Sequence, residues 1–273
     1  MGLAAAVAPV AAFDTADADL ERRFGGLRRL YGDAGYARLR GARVAVVGLG
    51  GVGSWAVEAL ARSGVAQLVL IDLDNVAESN INRQVQALGR TLGQAKVDAL
   101  RERIADIHPG CAVRVVEDFV TADNWPALLP APVDVLIDAC DQVRAKAALA
   151  AWSLAQHVPL VCVGAAGGKR LAQRVEVEDL ADTTHDPLLA SLRQRLRKEH
   201  GAPRQGRIGV RCVFSRESVA APADSCASDG TLNCAGYGSS VAVTATFGMV
   251  AAGEAISQLL SAAPVPNPSK SLL

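Results

Sequence analysis

Two hundred and seventy-three residues, 50% hydrophobic and 21% charged, describe a chain with a substantial core and exclude wholesale disorder. Twenty-eight basic residues balance twenty-eight acidic ones, so no overall charge advertises a nucleic-acid or acidic partner. Six scattered cysteines (111, 140, 162, 212, 226 and 234), none in a CxxC pair, exclude a stapled secreted scaffold and a CxxC…CxxC zinc site.

Met1 to Ala12 is rich in Ala and Val but carries no base before Arg22. It lacks the basic start of a signal peptide, and residues 1–21 read as a tail. No apolar run is expected to reach the roughly 18–20 residues that span a bilayer, and a reduced, cytoplasmic protein is the expectation. Arg22, Arg23, Arg28 and Arg29, around Phe24-Gly25-Gly26 and Tyr31-Gly32, open the fold with a short helix. Arg43–Val47 is a continuous apolar run, the pattern of a strand buried on both faces. Gly48 to Gly53 follow, then a helix with Trp55, Val57, Leu60 and Ala61 at suitable spacing, then a second strand at Gln67–Ile71. Such a unit crosses over right-handed and makes its strands parallel.

The alternation continues. Gln94–Ile107 reads as a helix stopped by Pro109-Gly110, Ala112–Glu117 as a strand and Asp123–Leu129 as a short helix. Val133–Ile137 is a third buried strand, Val143–Gln156 a helix and Leu160–Gly164 a strand. The fold class is therefore α/β, a doubly wound, mainly parallel, Rossmann-like sheet. After Gly168 come a half-exposed strand at Arg174–Glu178, a helix at Pro187–Glu199 opened by Asp186, and a strand at Arg211–Ser215. Arg216–Ser239 is a long loop, a length that usually means function or disorder. Ser240–Leu260 is a final helix. One domain over residues 22–262, with a C-terminal tail at 263–273, is the expected organisation.

Gly48-Leu49-Gly50-Gly51-Val52-Gly53 is a GxGxxG loop between strand and helix, a phosphate cradle of backbone N–H groups and helix N-terminus. Asp72 ends the second strand, where a carboxylate reaches a ribose hydroxyl. Alone, this would favour an NAD enzyme. The run Asp72-Leu73-Asp74 to Asn80-Ile81-Asn82-Arg83-Gln84, followed by Lys96, changes the reading. A nucleoside triphosphate brings about four negative charges that need cationic partners. Asp141, at the carboxyl edge after Asp138-Ala139-Cys140, is placed to hold Mg²⁺ or to cap the next helix. Asp74 either shares the ribose or caps. Cys140 and Cys162 read as packing residues in apolar company. His108, His157, His185 and His200 show no metal-ligand spacing, and His185 is either a base or a polar loop residue.

This constellation resembles the adenylating enzymes of the E1/MoeB/ThiF superfamily over roughly residues 22–170. The resemblance places Gly48, Gly50, Gly51, Gly53, Asp72, Asp74, Asn80 and Gln84 around ATP. It puts Arg83 and Lys96 on the phosphates as catalytic groups and Asp141 on Mg²⁺. The flanking runs Arg23-Phe24-Gly25-Gly26, Asp118-Phe119-Val120-Thr121, Asp186-Pro187-Leu188, Cys212-Val213-Phe214-Ser215-Arg216-Glu217 and Val243-Thr244-Ala245-Thr246-Phe247-Gly248 extend the likeness to nearly the whole chain. They are similar to those of the bacterial tRNA threonylcarbamoyladenosine dehydratases, a family that uses ATP to cyclise the threonylcarbamoyl group on adenosine 37 of tRNA. The family implies a homodimer in which Arg23 or Arg29 reaches the neighbouring subunit's ATP. A monovalent cation in the C-terminal loops and a protein partner from sulfur metabolism stay open, as does Cys234, catalytic or incidental. The rival is adenylation of a ubiquitin-like sulfur carrier, which the missing zinc cysteines disfavour. A tRNA partner would meet the local excess of seven bases formed by Arg193, Arg195, Arg197, Lys198, Arg204, Arg207, Arg211 and Arg216 against Glu199. Lys169, Arg170 and Arg174 add to it.

Overall fold

The computed structural model describes residues 18–219 and 237–261. Strands form where β-branched residues run together: Arg43–Val47 (β1), Gln67–Ile71 (β2), Ala112–Val116 (β3), Val135–Asp138 (β4), Leu160–Val163 (β5), Val175–Asp179 (β6) and Arg211–Ser215 (β7). One sheet of order β3-β2-β1-β4-β5-β7-β6 results, parallel except for β6, which runs antiparallel to β7. The doubly wound expectation holds. β1 lies between β2 and β4, with Val47 paired to Ile71 on one side and Asp138 on the other. Three carboxyl ends are therefore level where the strand order reverses, the place where open α/β sheets bind ligands.

Six helices cover the sheet among the described residues: Leu20–Gly41 (α1), Gly53–Arg62 (α2), Lys96–Ile107 (α3), Val143–Gln156 (α4), Pro187–Glu199 (α5) and Val241–Ser261 (α6). α1, α2, α3 and α6 pack on one face, α4 and α5 on the other. α6 does have the length and apolarity of a membrane span, contrary to expectation. Its Val243, Phe247, Ala251, Ala255 and Leu259 are buried in the core, which accounts for that composition.

Two local expectations need correction. The opening helix is 22 residues, not short, and is broken at Gly32, whose φ of 71° leaves the helical region. Asp19 caps it, and Tyr36 Oη donates across the kink to Glu21 at 3.0 Å, so specific bonds offset the poor helix propensity of its glycines. Asp123–Leu129 forms turns rather than a helix. Pro126 in its middle has no N–H to donate and biases Trp125 away from helical backbone.

α1 is tied to the end of α3 by His108. This fully buried ring accepts from Arg40 Nη1 at 2.6 Å and lies against Phe24, 4.7 Å between centroids. Burial, helped by Arg40, pushes its pKa down from 6.5 to about 4. A neutral ring is thus part of the fold. Its contribution is complete above about pH 6.5 and is lost as pH falls towards 4, up to about 3 kcal/mol. Unfolding free energies measured from pH 7 to pH 4 should drop more steeply in the parent than in His108→Leu.

Candidate active site

At the carboxyl ends of β1, β2 and β4 lies a cleft of about 350 Å³. Gly48, Gly50, Gly51, Asp72, Asp74, Asn80, Arg83, Gln84, Lys96 and Asp141 all line it. Gly53 does not. It stands behind the loop, where a Cβ would fall on the Gly48 carbonyl. Gly48 has φ 84°, and a Cβ there would come within 2.8 Å of the Ala139 and Cys140 backbone. The glycine loop therefore rests directly on the turn that carries Asp141.

Asp72 fastens this loop to the next one. Leu49 N–H donates to one carboxylate oxygen at 2.6 Å and Asp74 N–H to the other at 2.9 Å. Burial raises the Asp72 pKa, against the opposing pull of Lys96 and the two N–H groups. Each oxygen keeps capacity to accept a hydroxyl. Lys96 Nζ sits 2.7 Å from Asp74 Oδ2 and 3.9 Å from Asp72 Oδ1, nearly buried at the start of α3. Besides the two roles open to it, the Asp74 carboxylate is the ion partner of Lys96.

Arg83 has no carboxylate within salt-bridge distance among the described residues. Its Nη1 donates to Ser79 O at 2.8 Å and Asn82 Oδ1 at 3.0 Å, and its stem covers Gly51. Trp55 fixes its backbone by donating to Arg83 O at 2.9 Å. Asn80 is buried and accepts from Ala77 N–H. Gln84 accepts from Gln86, whose Nε2 also donates to Leu49 O at 3.0 Å. Trp55 and Gln86 are supports that sequence reasoning missed.

The larger omission is Lys146. Within α4 it is fully buried, with Nζ 3.2 Å from Asp138 Oδ1 and 2.7 Å from Val163 O. Burial is the largest influence and opposes its charge, but Asp138 and the neighbouring Cys162 and Cys140 together hold the pKa above the ordinary lysine value. The only sequence signal was a lysine amid the alanines and leucines of α4, two residues after Arg144. Cys140 and Cys162 are not merely apolar packing, because both thiols donate to Asp138, at 2.9 and 3.5 Å. Burial and Asp138 raise the Cys140 pKa, which keeps the thiol protonated as a hydrogen-bond donor to Asp138. Asp141 is exposed and does not cap α4, whose N-cap is Gln142. Its carboxylate has no hydrogen-bond partner among the described residues.

Three of the five flanking motifs reach the same cleft, through Asp118, Phe119 and Val120 after β3, Pro187 and Leu188 opening α5, and Thr244 of α6, whereas Arg23–Gly26 and Cys212–Glu217 do not line it. Cys234 lies outside the described residues. His185 is exposed and bonded to Thr184, a polar loop residue. No group of three potential metal ligands exists among the described residues. The basic cluster is smaller than its count, since Arg195, Arg211 and Arg216 pair with Glu199, Glu254 and Glu176. Lys169 is buried, donating to Ser215 O and Glu217 O.

The chain is 44% identical to the tRNA threonylcarbamoyladenosine dehydratase of Escherichia coli K12 over 254 residues, 89% of this chain and 95% of that protein. It superposes on a crystal structure of the E. coli enzyme in complex with ATP with a TM-score of 0.81 and 43% identity, covering 89% of this chain and 96% of the other. The E. coli molybdopterin-synthase adenylyltransferase is 39% identical over 127 residues, only 46% of this chain and 51% of that protein. The family model described as ThiF matches residues 23–273. A match of that extent takes in the cleft, both flanks of the sheet and the final helix, and the chain belongs to the ThiF family.

Proposed function

We propose that the chain is an ATP-dependent tRNA threonylcarbamoyladenosine dehydratase, closing the threonylcarbamoyl group on adenosine 37 with loss of water and release of AMP and pyrophosphate. One observation carries the reading. A single cleft gathers the ATP-type residues together with the dehydratase-type flanking residues Asp118, Phe119, Val120, Pro187, Leu188 and Thr244. The extent of identity to the E. coli dehydratase supports it, against the half-chain match to the sulfur-carrier adenylyltransferase.

A carboxylate acylates poorly because hydroxide is a poor leaving group, and transfer of AMP to it removes that obstacle. In this reading the glycine loop and α2 N-terminus bind phosphate through N–H donors. Asp72 accepts from the ribose. Arg83 and Lys96 stabilise charge moving onto the departing pyrophosphate, Lys96 exchanging its Asp74 contact for phosphate. The carbamoyl group, tethered to the activated carboxyl, then attacks with the advantage of an intramolecular nucleophile. No enzyme nucleophile is needed, consistent with the raised Cys140 pKa.

Asp141 is the residue that would hold Mg²⁺, which when bound neutralises phosphate charge. A lone exposed carboxylate without a protein partner fits an ion that takes its other ligands from phosphates and water. Asp141→Asn should shift the Mg²⁺ activation curve to higher concentration, and an unmoved curve would remove Asp141 from that role. A monovalent cation in the C-terminal loops concerns residues outside the described ones and stays with the reading, as does a sulfur-metabolism partner.

A homodimer, cytoplasmic location and one adenylating domain over residues 22–262 between tails belong to the same reading. Arg23 already donates to Asp106 O and Ile107 O at the end of α3. Exposed Arg29 is therefore our choice for the arginine that reaches the partner subunit's ATP. The reading is tested by pyrophosphate release from ATP with tRNA bearing threonylcarbamoyladenosine, with unmodified tRNA and with a sulfur-carrier protein. Release only with the modified tRNA is expected, and release driven by the carrier would support the rival.

A further inference from the structure

We propose that the second half of α5, with the loop behind it, is the surface on which the tRNA phosphate backbone docks, through Arg197, Lys198 and Arg204 arranged around Arg193. This rests on the tRNA-modifying reading above. These four bases line one recess with Gln194 and Ala190. None of the four has a carboxylate within salt-bridge distance among the described residues, unlike Arg195, Arg211 and Arg216, which do. Their charge is therefore uncompensated.

Two of them are also held in place by neutral groups. Arg193 Nη1 donates to Leu180 O and Thr183 O, each at 2.9 Å, and to Thr183 Oγ1 at 3.0 Å. Arg197 Nε donates to Pro203 O at 3.1 Å, leaving both terminal nitrogens uncommitted. Guanidinium groups ordered by carbonyls keep their full charge and lose little further freedom on meeting an anion. Phosphate matches the guanidinium fork, as carboxylate does. The recess has one small apolar side chain, Ala190, so it lacks the apolar centre that an acidic protein partner would bury.

Position supplies the link to the chemistry. The first turn of α5 lines the cleft through Pro187 and Leu188. Arg197 comes nine residues after Leu188, about 13 Å along the helix axis. A nucleotide entering the cleft thus brings the phosphates beside it over the recess.

The test uses the full chain carrying Arg197→Gln, Lys198→Gln and Arg204→Gln together, with Arg193 kept because its bonds hold residues 180–183. Arg195→Gln, whose charge is already paired, is the control. Affinity for labelled full-length tRNA is measured at three salt concentrations, beside ATP affinity and melting temperature. The triple variant is expected to lose about 2–3 units of the log–log salt slope and to bind tRNA roughly a hundredfold more weakly at 0.1 M salt. ATP affinity should hold, and Arg195→Gln should keep the parent's slope. A triple variant with the parent's slope, or an equal loss in Arg195→Gln, overturns the docking surface while leaving the adenylation site standing. A parent that does not bind tRNA at any salt concentration overturns the functional reading, and the surface with it.

Discussion

Arg83→Ala is expected to slow pyrophosphate release at saturating ATP by about 10²–10³-fold while leaving thermal stability nearly unchanged. The side chain is paired with no carboxylate among the described residues, and its guanidinium bonds go to one carbonyl and one amide of its own turn. Removing it strands no buried charge. In the proposed mechanism it takes away a cation whose contact strengthens as negative charge gathers on the leaving group, so the loss should fall on kcat more than on KM. Lys96→Ala should look different. It would leave Asp72, 8% exposed, and Asp74 without their cation, so stability and turnover should fall together. Single-turnover rates and melting curves for the two variants make the comparison. Parental turnover in Arg83→Ala would remove Arg83 from the phosphate site.

The second large effect is expected at Lys146, beneath the cleft. Lys146→Met should cost about 3–5 kcal/mol, because it leaves the Asp138 carboxylate buried without its cation. Lys146 and Asp138 are both fully buried and 3.2 Å apart. The Val163 carbonyl loses its donor as well, so the link that Lys146 adds between the ends of β4 and β5 is lost while their ladder remains. Combining Asp138→Asn with Lys146→Met should recover a good part of the loss, since no net charge is then left inside. Chemical denaturation of the two single variants and the double variant gives the coupling directly. Additive losses would show that the two side chains do not act as a pair.

What could be read from the sequence follows from which interactions are local. β1, β2, α4, α5 and β7 begin and end at the expected residues, because buried strands need unbroken apolar runs and Asp186 caps α5 through its own side chain. The glycine loop, Asp72, Arg83, Lys96 and Asp141 announce themselves by residue types that a triphosphate demands. Partnerships across the chain gave no such signal. Lys146 of α4 meets Val163 of β5, and Arg211 is neutralised by Glu254, 43 residues away. Counting bases from Arg193 to Arg216 therefore overstated the free charge, and reading Cys140 and Cys162 as apolar missed the carboxylate they share. α1 was underestimated for a related reason. Its glycines argue against a long helix, and what supports it is the bond from Tyr36 back to Glu21 across the Gly32 kink.

We propose that this cleft spends ATP to remove water from threonylcarbamoyladenosine in tRNA. The most direct test of this reading is mass spectrometry of the nucleosides of modified tRNA after incubation with the protein, ATP and Mg²⁺. The expected result is conversion of threonylcarbamoyladenosine to a nucleoside lighter by one water, with one AMP formed per conversion and none without ATP. An unchanged nucleoside accompanied by ATP cleavage, or conversion that proceeds without ATP, would contradict it.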